Sequence, residues 1–132
     1  MSGEWHGTYT YPGNLGPATP FMVSIADIGG SLSGRIIEPD MFYGSGTLVA
    51  RLIGHRAGQT VDFTKTYEQP PVGYENPIDY VGSLSADGLT VTGVWSLLKF
   101  DGSFEMLRDA KRDLPVEVEE EESVPVPIIP AG

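Results

Sequence analysis

Apolar and polar residues alternate with a period of two along most of positions 3–108, in short runs broken by glycine, proline and Asp-Gly pairs. That period puts successive side chains on opposite faces of an extended strand, so each run with one apolar face reads as half of a sheet around an interior. Trp5, Gly7, Tyr9 and Tyr11 share one face of the first run. Val61, Phe63, Lys65 and Tyr67 share a face in the middle of the chain, with Thr60, Asp62, Thr64 and Thr66 opposite. Leu89, Val91, Gly93, Trp95 and Leu97 form a third such set, and Phe104, Met106 and Arg108 a fourth. Threonine on the reverse face suits exposed strand positions. No long helical pattern interrupts the series.

The runs predict eight strands: Trp5 to Tyr11, Phe21 to Ile28, Leu32 to Ile37, Thr47 to Ile53, Thr60 to Tyr67, Asp79 to Leu84, Leu89 to Leu98, and a last one ending near Arg108. Gly29-Gly30, His55-Arg56-Ala57-Gly58, Ala86-Asp87-Gly88 and Asp101-Gly102 mark tight turns, the last leading into the final strand. Glu38 to Ser45 reads as a longer loop. Glu68 to Pro77 is excluded as a central strand, because three prolines remove backbone donors. Eight sequential strands with short connections predict an all-β fold, an eight-stranded antiparallel up-and-down barrel; a β-sandwich of the same strands is the structural alternative. Gly7, Gly34, Gly82 and Gly93 fall on or near the inner face, where they either relieve crowding at bends or leave room for a ligand.

After Arg108 the character changes. Residues 1–114 are assigned to the barrel domain and 115–132 to a tail with four prolines and the glutamates Glu117, Glu119, Glu120, Glu121 and Glu122. Its Val124-Pro125-Val126-Pro127-Ile128-Ile129-Pro130 stretch is extended in character, and is either a disordered tail or an arm that docks on a neighbouring subunit.

Charge narrows the partners. The net charge is -10, and setting the tail glutamates aside leaves 13 acidic against 8 basic residues. An acidic body argues against a nucleic-acid backbone, which requires a basic surface. The absence of cysteine excludes disulfides, thiol catalysis and thiolate metal sites. No run approaches the roughly 20 apolar residues of a membrane-spanning helix. Met1 to His6 has neither the basic stretch nor the apolar run of a signal peptide, so a cytoplasmic protein is expected.

Candidate chemistry centres on Lys65. Parity sets it beside Phe63 and Tyr67, where it is either an interior anchor for an anionic or carbonyl-bearing ligand, or a rim lysine with its amine in water. Tyr67, Tyr80, Asp27 and Glu105 are its candidate partners. Asp40, Met41, Phe42 and Tyr43 lie in a loop between Pro39 and Gly44, and with Tyr74 either close over a small molecule or pack as a plug. Trp95 is a core anchor or a ligand platform. His6 and His55 have no third ligand at zinc spacing, and the serines have no nucleophile elbow, so no metal, cofactor or catalytic residue is assigned.

Gly3-Glu4-Trp5 resembles the Gly-x-Trp signature of the calycins, which join lipocalins, fatty-acid-binding proteins and avidins. In lipocalins a basic residue at the end of the last barrel strand packs across that tryptophan, and Arg108 follows Phe104-Glu105-Met106-Leu107 at the corresponding place. Such packing is sound on its own terms, since an indole face attracts a guanidinium. Length and spacing look more like the compact avidin-type barrel than a full lipocalin. No biotin-type polar set can be matched residue by residue, so the resemblance implies a fold and a ligand-binding interior, and not biotin.

The expected function is non-catalytic binding of a small apolar or amphipathic molecule inside the barrel. Phe63, Tyr67, Tyr80, Trp95 and the loop residue Tyr43 would contact it, with Lys65 or Arg51 as polar anchor. Two alternatives stand beside it: a structural or protein-interaction module with a filled barrel, and an isomerase or cyclase that encloses an apolar substrate. Val94 and Leu98 on the outer parity favour a homo-oligomer, a dimer or tetramer, under the binding and the module readings alike.

Overall fold

A computed structural model describes residues 1–13, 16, 18–41, 46–70 and 74–109 of the chain. Its eight strands are β1 (Gly3–Thr10), β2 (Thr19–Ile28), β3 (Ser31–Pro39), β4 (Thr47–Ala57), β5 (Thr60–Tyr67), β6 (Ile78–Leu84), β7 (Thr90–Leu97) and β8 (Phe100–Arg108). Each pairs antiparallel with its sequence neighbour, and β8 returns to pair with β1, closing the barrel. That closure decides for the up-and-down barrel over the sandwich and leaves no open sheet edge. The tail at 115–132 lies outside the described residues.

Alternation governs what is buried. In β2 the inward set is Thr19, Phe21, Val23 and Ile25, and in β5 it is Val61, Phe63, Lys65 and Tyr67. Antiparallel pairing gathers the β2–β3, β4–β5 and β6–β7 turns at one end, with the start of β1 and the end of β8. This is the base. Trp5 is 1% exposed there and pairs in register with Arg108, whose guanidinium lies 5.8 Å from the indole centroid. The indole Nε1 donates to the Met1 carbonyl at 3.0 Å, and the Arg108 guanidinium donates to the Ser2 carbonyl. Asp27 ties the same end together, accepting from Arg56 Nε at 2.6 Å, the Met1 amine at 3.0 Å and the Gly30 N–H at 3.0 Å. The arginine and these further donors hold its carboxyl at about 2.

Four local expectations are corrected. β3 runs on through Glu38 to Pro39, so Glu38 lies in a strand with its side chain inward instead of in a loop. β4 continues to Ala57, which moves the following turn from His55–Gly58 to Gly58-Gln59. Leu89 is exposed and precedes β7 instead of starting it. The last hairpin turns at Leu98-Lys99, with Leu97 paired to Phe100 and Leu98 at φ 56°, while Asp101-Gly102 lies inside β8. Packing explains the last of these. Gly102 pairs with Trp95, and a Cβ there would come within 2.5 Å of the indole Nε1 and overlap the Thr10 carbonyl oxygen. Its glycine makes room for an indole and not for a turn.

The inner-face glycines serve closure. Gly82 and Gly93 face each other across β6 and β7, and a Cβ on Gly82 would sit 3.1 Å from the Phe104 ring and 2.6 Å from the Thr92 carbonyl oxygen. Bare backbone at this pair lets the sheet coil tightly over the Phe104 ring. None of Gly7, Gly34, Gly82 and Gly93 lines the cavity described next.

Candidate functional site

The barrel is filled at the base and hollow toward the other end. Phe21, Val23, Ile36, Leu52, Phe63 and Met106 close up beneath Lys65, leaving a gap too small for water. Above that layer lies a cavity of about 400 Å³, within the roughly 300–1,000 Å³ of small-molecule sites. Its walls are aromatic. Tyr9, Tyr11 and Trp95 meet edge to face on one side, with Tyr11 and Trp95 centroids 5.3 Å apart, and Tyr67 meets Tyr74 the same way at 5.1 Å. Tyr80, Ile78 and Leu97 add to the lining, with Asn76 as its exposed polar member.

Lys65 forms the floor. Its place in β5 follows from parity: Val61 and Phe63 are core residues, so position 65 must also point inward. It is 1% exposed, which settles the choice between interior and rim. A buried ammonium requires a counter-charge, and Glu38 supplies it from β3. Lys65 Nζ donates to Glu38 Oε1 at 2.8 Å, while Glu38 Oε2 accepts from the Tyr9 hydroxyl at 2.6 Å and the Tyr67 hydroxyl at 2.8 Å. The ammonium also lies 4.4 Å from the Tyr9 ring centroid, 4.7 Å from Tyr67 and 5.6 Å from Tyr80, close enough for cation–π attraction. Three donors on one carboxylate and three rings around one ammonium make a closed polar unit in an apolar shell.

The titration behaviour follows from burial. Loss of solvent pushes the Lys65 amine down, and the Glu38 charge opposes that shift. Burial pushes the Tyr9, Tyr67 and Tyr80 phenols up, and the nearby Glu38 charge drives each further in the same direction. The phenols at the floor are therefore hydrogen-bond donors across the physiological range.

Tyr74 lines the cavity from the segment before β6. Its hydroxyl donates to Asp40 Oδ1 at 3.2 Å, linking the segment before β6 to the segment after β3. Asp40 is itself fixed by its backbone N–H, which donates to the Gly46 carbonyl at 3.1 Å.

Of the residues singled out in the sequence, Lys65, Tyr67, Tyr80 and Trp95 come together on the cavity wall. Phe63 lies one layer lower, stacked on Tyr80 with centroids 4.8 Å apart, and supports the site from below. Arg51 is corrected: it is exposed on the outer face, opposite Arg35 and Thr66, because its neighbours Ala50 and Leu52 take the inward positions. Glu105 is likewise exposed, and Asp27 belongs to the base, so neither partners Lys65. Tyr43 lies outside the described residues. Sequence reasoning gives Tyr9 and Tyr11 only as inward residues of the first strand and not as site residues, and it misses Glu38 altogether. Continuing the alternation of Leu32, Gly34 and Ile36 by two residues would have found it.

Among the described residues no cluster of three or more His, Asp or Glu side chains could hold a metal ion, and no helix is long and apolar enough to cross a membrane. No protein-family model matches this chain, and no curated protein matches it. The closed eight-stranded barrel, with the Trp5–Arg108 contact at its base, is consistent with a calycin-like fold.

Proposed function

We propose that this protein binds a small, partly apolar molecule in the upper half of the barrel, with the Lys65–Glu38–tyrosine unit as the polar floor of the site. The observation that carries this reading is the contrast between the two halves of one interior. The base leaves no space for even one water, while an aromatic cavity of about 400 Å³ ends on a buried ion pair. A barrel needing only stability gains nothing from burying Lys65 and Glu38, since a well-packed apolar pair of similar volume is commonly as stable or more so. Binding is favoured over turnover because Glu38, the group best placed to move a proton, is already engaged by Lys65, Tyr9 and Tyr67.

Titration with N-phenyl-1-naphthylamine, an uncharged probe that fluoresces in apolar surroundings, tests the reading. Saturable one-to-one binding is expected, and Leu97→Trp, which places an indole at the cavity wall, should abolish it. Binding that survives Leu97→Trp unchanged would place the probe elsewhere.

One observation favours self-association as a second property. Leu107, His6, Met22 and Ile37 are cross-strand neighbours in one outer row, and the three apolar members are each nearly half exposed. A groove of about 610 Å³ runs along this face. A second copy of the chain is its proposed occupant. Sedimentation should then show a dimer that Ile37→Glu converts to monomer, and a monomeric wild-type protein would remove this reading.

A further inference from the structure

The tyrosines around the cavity differ in one respect. Tyr9 and Tyr67 give their hydroxyl protons to Glu38, Tyr74 gives its own to Asp40, and Tyr11 is hydrogen-bonded with Tyr9. The indole N–H of Trp95 is used as well, donating to the Thr10 carbonyl at 2.9 Å. Tyr80 is the exception. Its ring is fixed by stacking on Phe63 and by edge contact with Phe104 at 5.0 Å, and it is 3% exposed. Among the described residues its hydroxyl has no hydrogen-bond partner, and Tyr80 is one of the residues that line the cavity. A buried hydroxyl without an acceptor is costly, so this donor is free to reward an acceptor brought by a ligand.

The charges around the cavity set the second condition. Lys65 is the cation of the lining, and Glu38 already compensates it at 2.8 Å. An anionic ligand would surrender its hydration and find the cation of the lining already neutralised by Glu38. A cationic ligand would fare little better beside Lys65, whose ammonium already occupies the faces of Tyr9, Tyr67 and Tyr80. An uncharged ligand avoids both penalties.

Resting on the cavity-binding reading above, we infer that the site selects an uncharged molecule with an apolar body and a hydrogen-bond acceptor, in the simplest case a ketone or aldehyde carbonyl, received by the Tyr80 hydroxyl. The selectivity comes from the Lys65–Glu38 pair being complete within the protein. The interior lysine thus does not capture a carboxylate. It neutralises the acid that orients Tyr9 and Tyr67, and leaves Tyr80 as the donor for the ligand.

Four probes on one skeleton test this by calorimetric titration of the full chain: 4-phenylbutan-2-one, 3-phenylpropanoate, 3-phenylpropylammonium and butylbenzene. The ketone should bind at least tenfold tighter than the carboxylate or the ammonium. Tyr80→Phe should weaken the ketone about tenfold and leave butylbenzene within twofold, as expected for loss of one hydrogen bond. The same variant should melt no lower than the wild type, because it removes a hydroxyl that has no internal partner. A carboxylate or ammonium that binds as well as the ketone would overturn the inference. So would a ketone affinity indifferent to Tyr80→Phe, or a marked fall in the melting temperature of that variant. If butylbenzene binds and the ketone gains nothing over it, the cavity reading stands and the selectivity fails. If none of the four binds, both fall together.

Discussion

Replacing Glu38 with glutamine removes one charge and little volume, which isolates the electrostatic part of the floor. Lys65 would then be a buried cation, 1% exposed, held by a neutral amide in place of the carboxylate that now accepts its proton and those of Tyr9 and Tyr67. Breaking one side of a buried pair costs about 3–5 kcal/mol, because the remaining charge keeps its desolvation penalty without its partner. A small domain has roughly 5–15 kcal/mol in total, so Glu38→Gln should fold but be visibly weakened. With a urea dependence of about 2 kcal/mol per molar, the denaturation midpoint should fall by roughly 2 M. The pH dependence supplies a second signature. Without Glu38 nothing opposes the burial that lowers the Lys65 pKa, so the folded variant sheds that proton before the unfolded chain does. Its stability should therefore rise as pH climbs toward the ordinary lysine range, more steeply than in the wild type. Adding Lys65→Met removes the stranded ammonium, and the double variant should recover about 2 kcal/mol relative to Glu38→Gln alone. A Glu38→Gln protein that loses less than about 1 kcal/mol, or a cycle with no coupling, would refute the buried pair.

The remaining expectations concern titration and the base. Tyr9, Tyr67 and Tyr80 have folded pKa values above the unfolded value of 10.0, so the stability they contribute is complete below pH 10 and lost above it. Three such groups give a loss of about 4 kcal/mol per pH unit, and alkaline unfolding followed by circular dichroism should be correspondingly steep. A tyrosinate absorbance rise near pH 10 that accounts for more than three of the six tyrosines with the fold intact would contradict their burial. Asp27 behaves in the opposite sense: its contribution is present above the ordinary carboxyl range and lost as pH falls through about 2, and Asp27→Asn should flatten the acid limb of the stability profile. Trp5→Ala should cost about 3–5 kcal/mol in denaturant unfolding, since it empties a fully buried indole position and removes the ring that Arg108 packs on. A loss under about 1 kcal/mol would deny Trp5 its role at the base.

What could be read from the sequence was what depends on parity. Strand number, the inward set of β5 and the outward threonines follow from the runs and from counting in twos along them, while the Trp5–Arg108 closure comes from the calycin resemblance. Parity sets Lys65 on the face of Phe63 and Tyr67 but leaves interior and rim both open until burial decides it, and applied between Ala50 and Leu52 it would have excluded Arg51. The misses are residues whose local signal competes with a tertiary demand. Pro39 looks like the edge of a loop, yet β3 carries Glu38 inward because a lysine from β5 needs it there. Asp101-Gly102 has the composition of a hairpin, but barrel closure required a strand at that point and the glycine was needed to admit Trp95. The hollow itself left no mark in composition. Six aromatic side chains can fill a barrel or line it, and only their edge-to-face arrangement around the Lys65 floor made the second outcome evident.

The central claim is that the upper interior is a ligand site with Tyr80 and the Lys65–Glu38 unit at its inner end. Crystals soaked in 4-(4-bromophenyl)butan-2-one and measured at the bromine edge test it most directly. The account predicts one anomalous peak between Trp95 and Tyr67, with the ketone oxygen within hydrogen-bond reach of the Tyr80 hydroxyl. A bromine found only along the outer Met22–Ile37 groove, or no peak at saturating ligand, would contradict it.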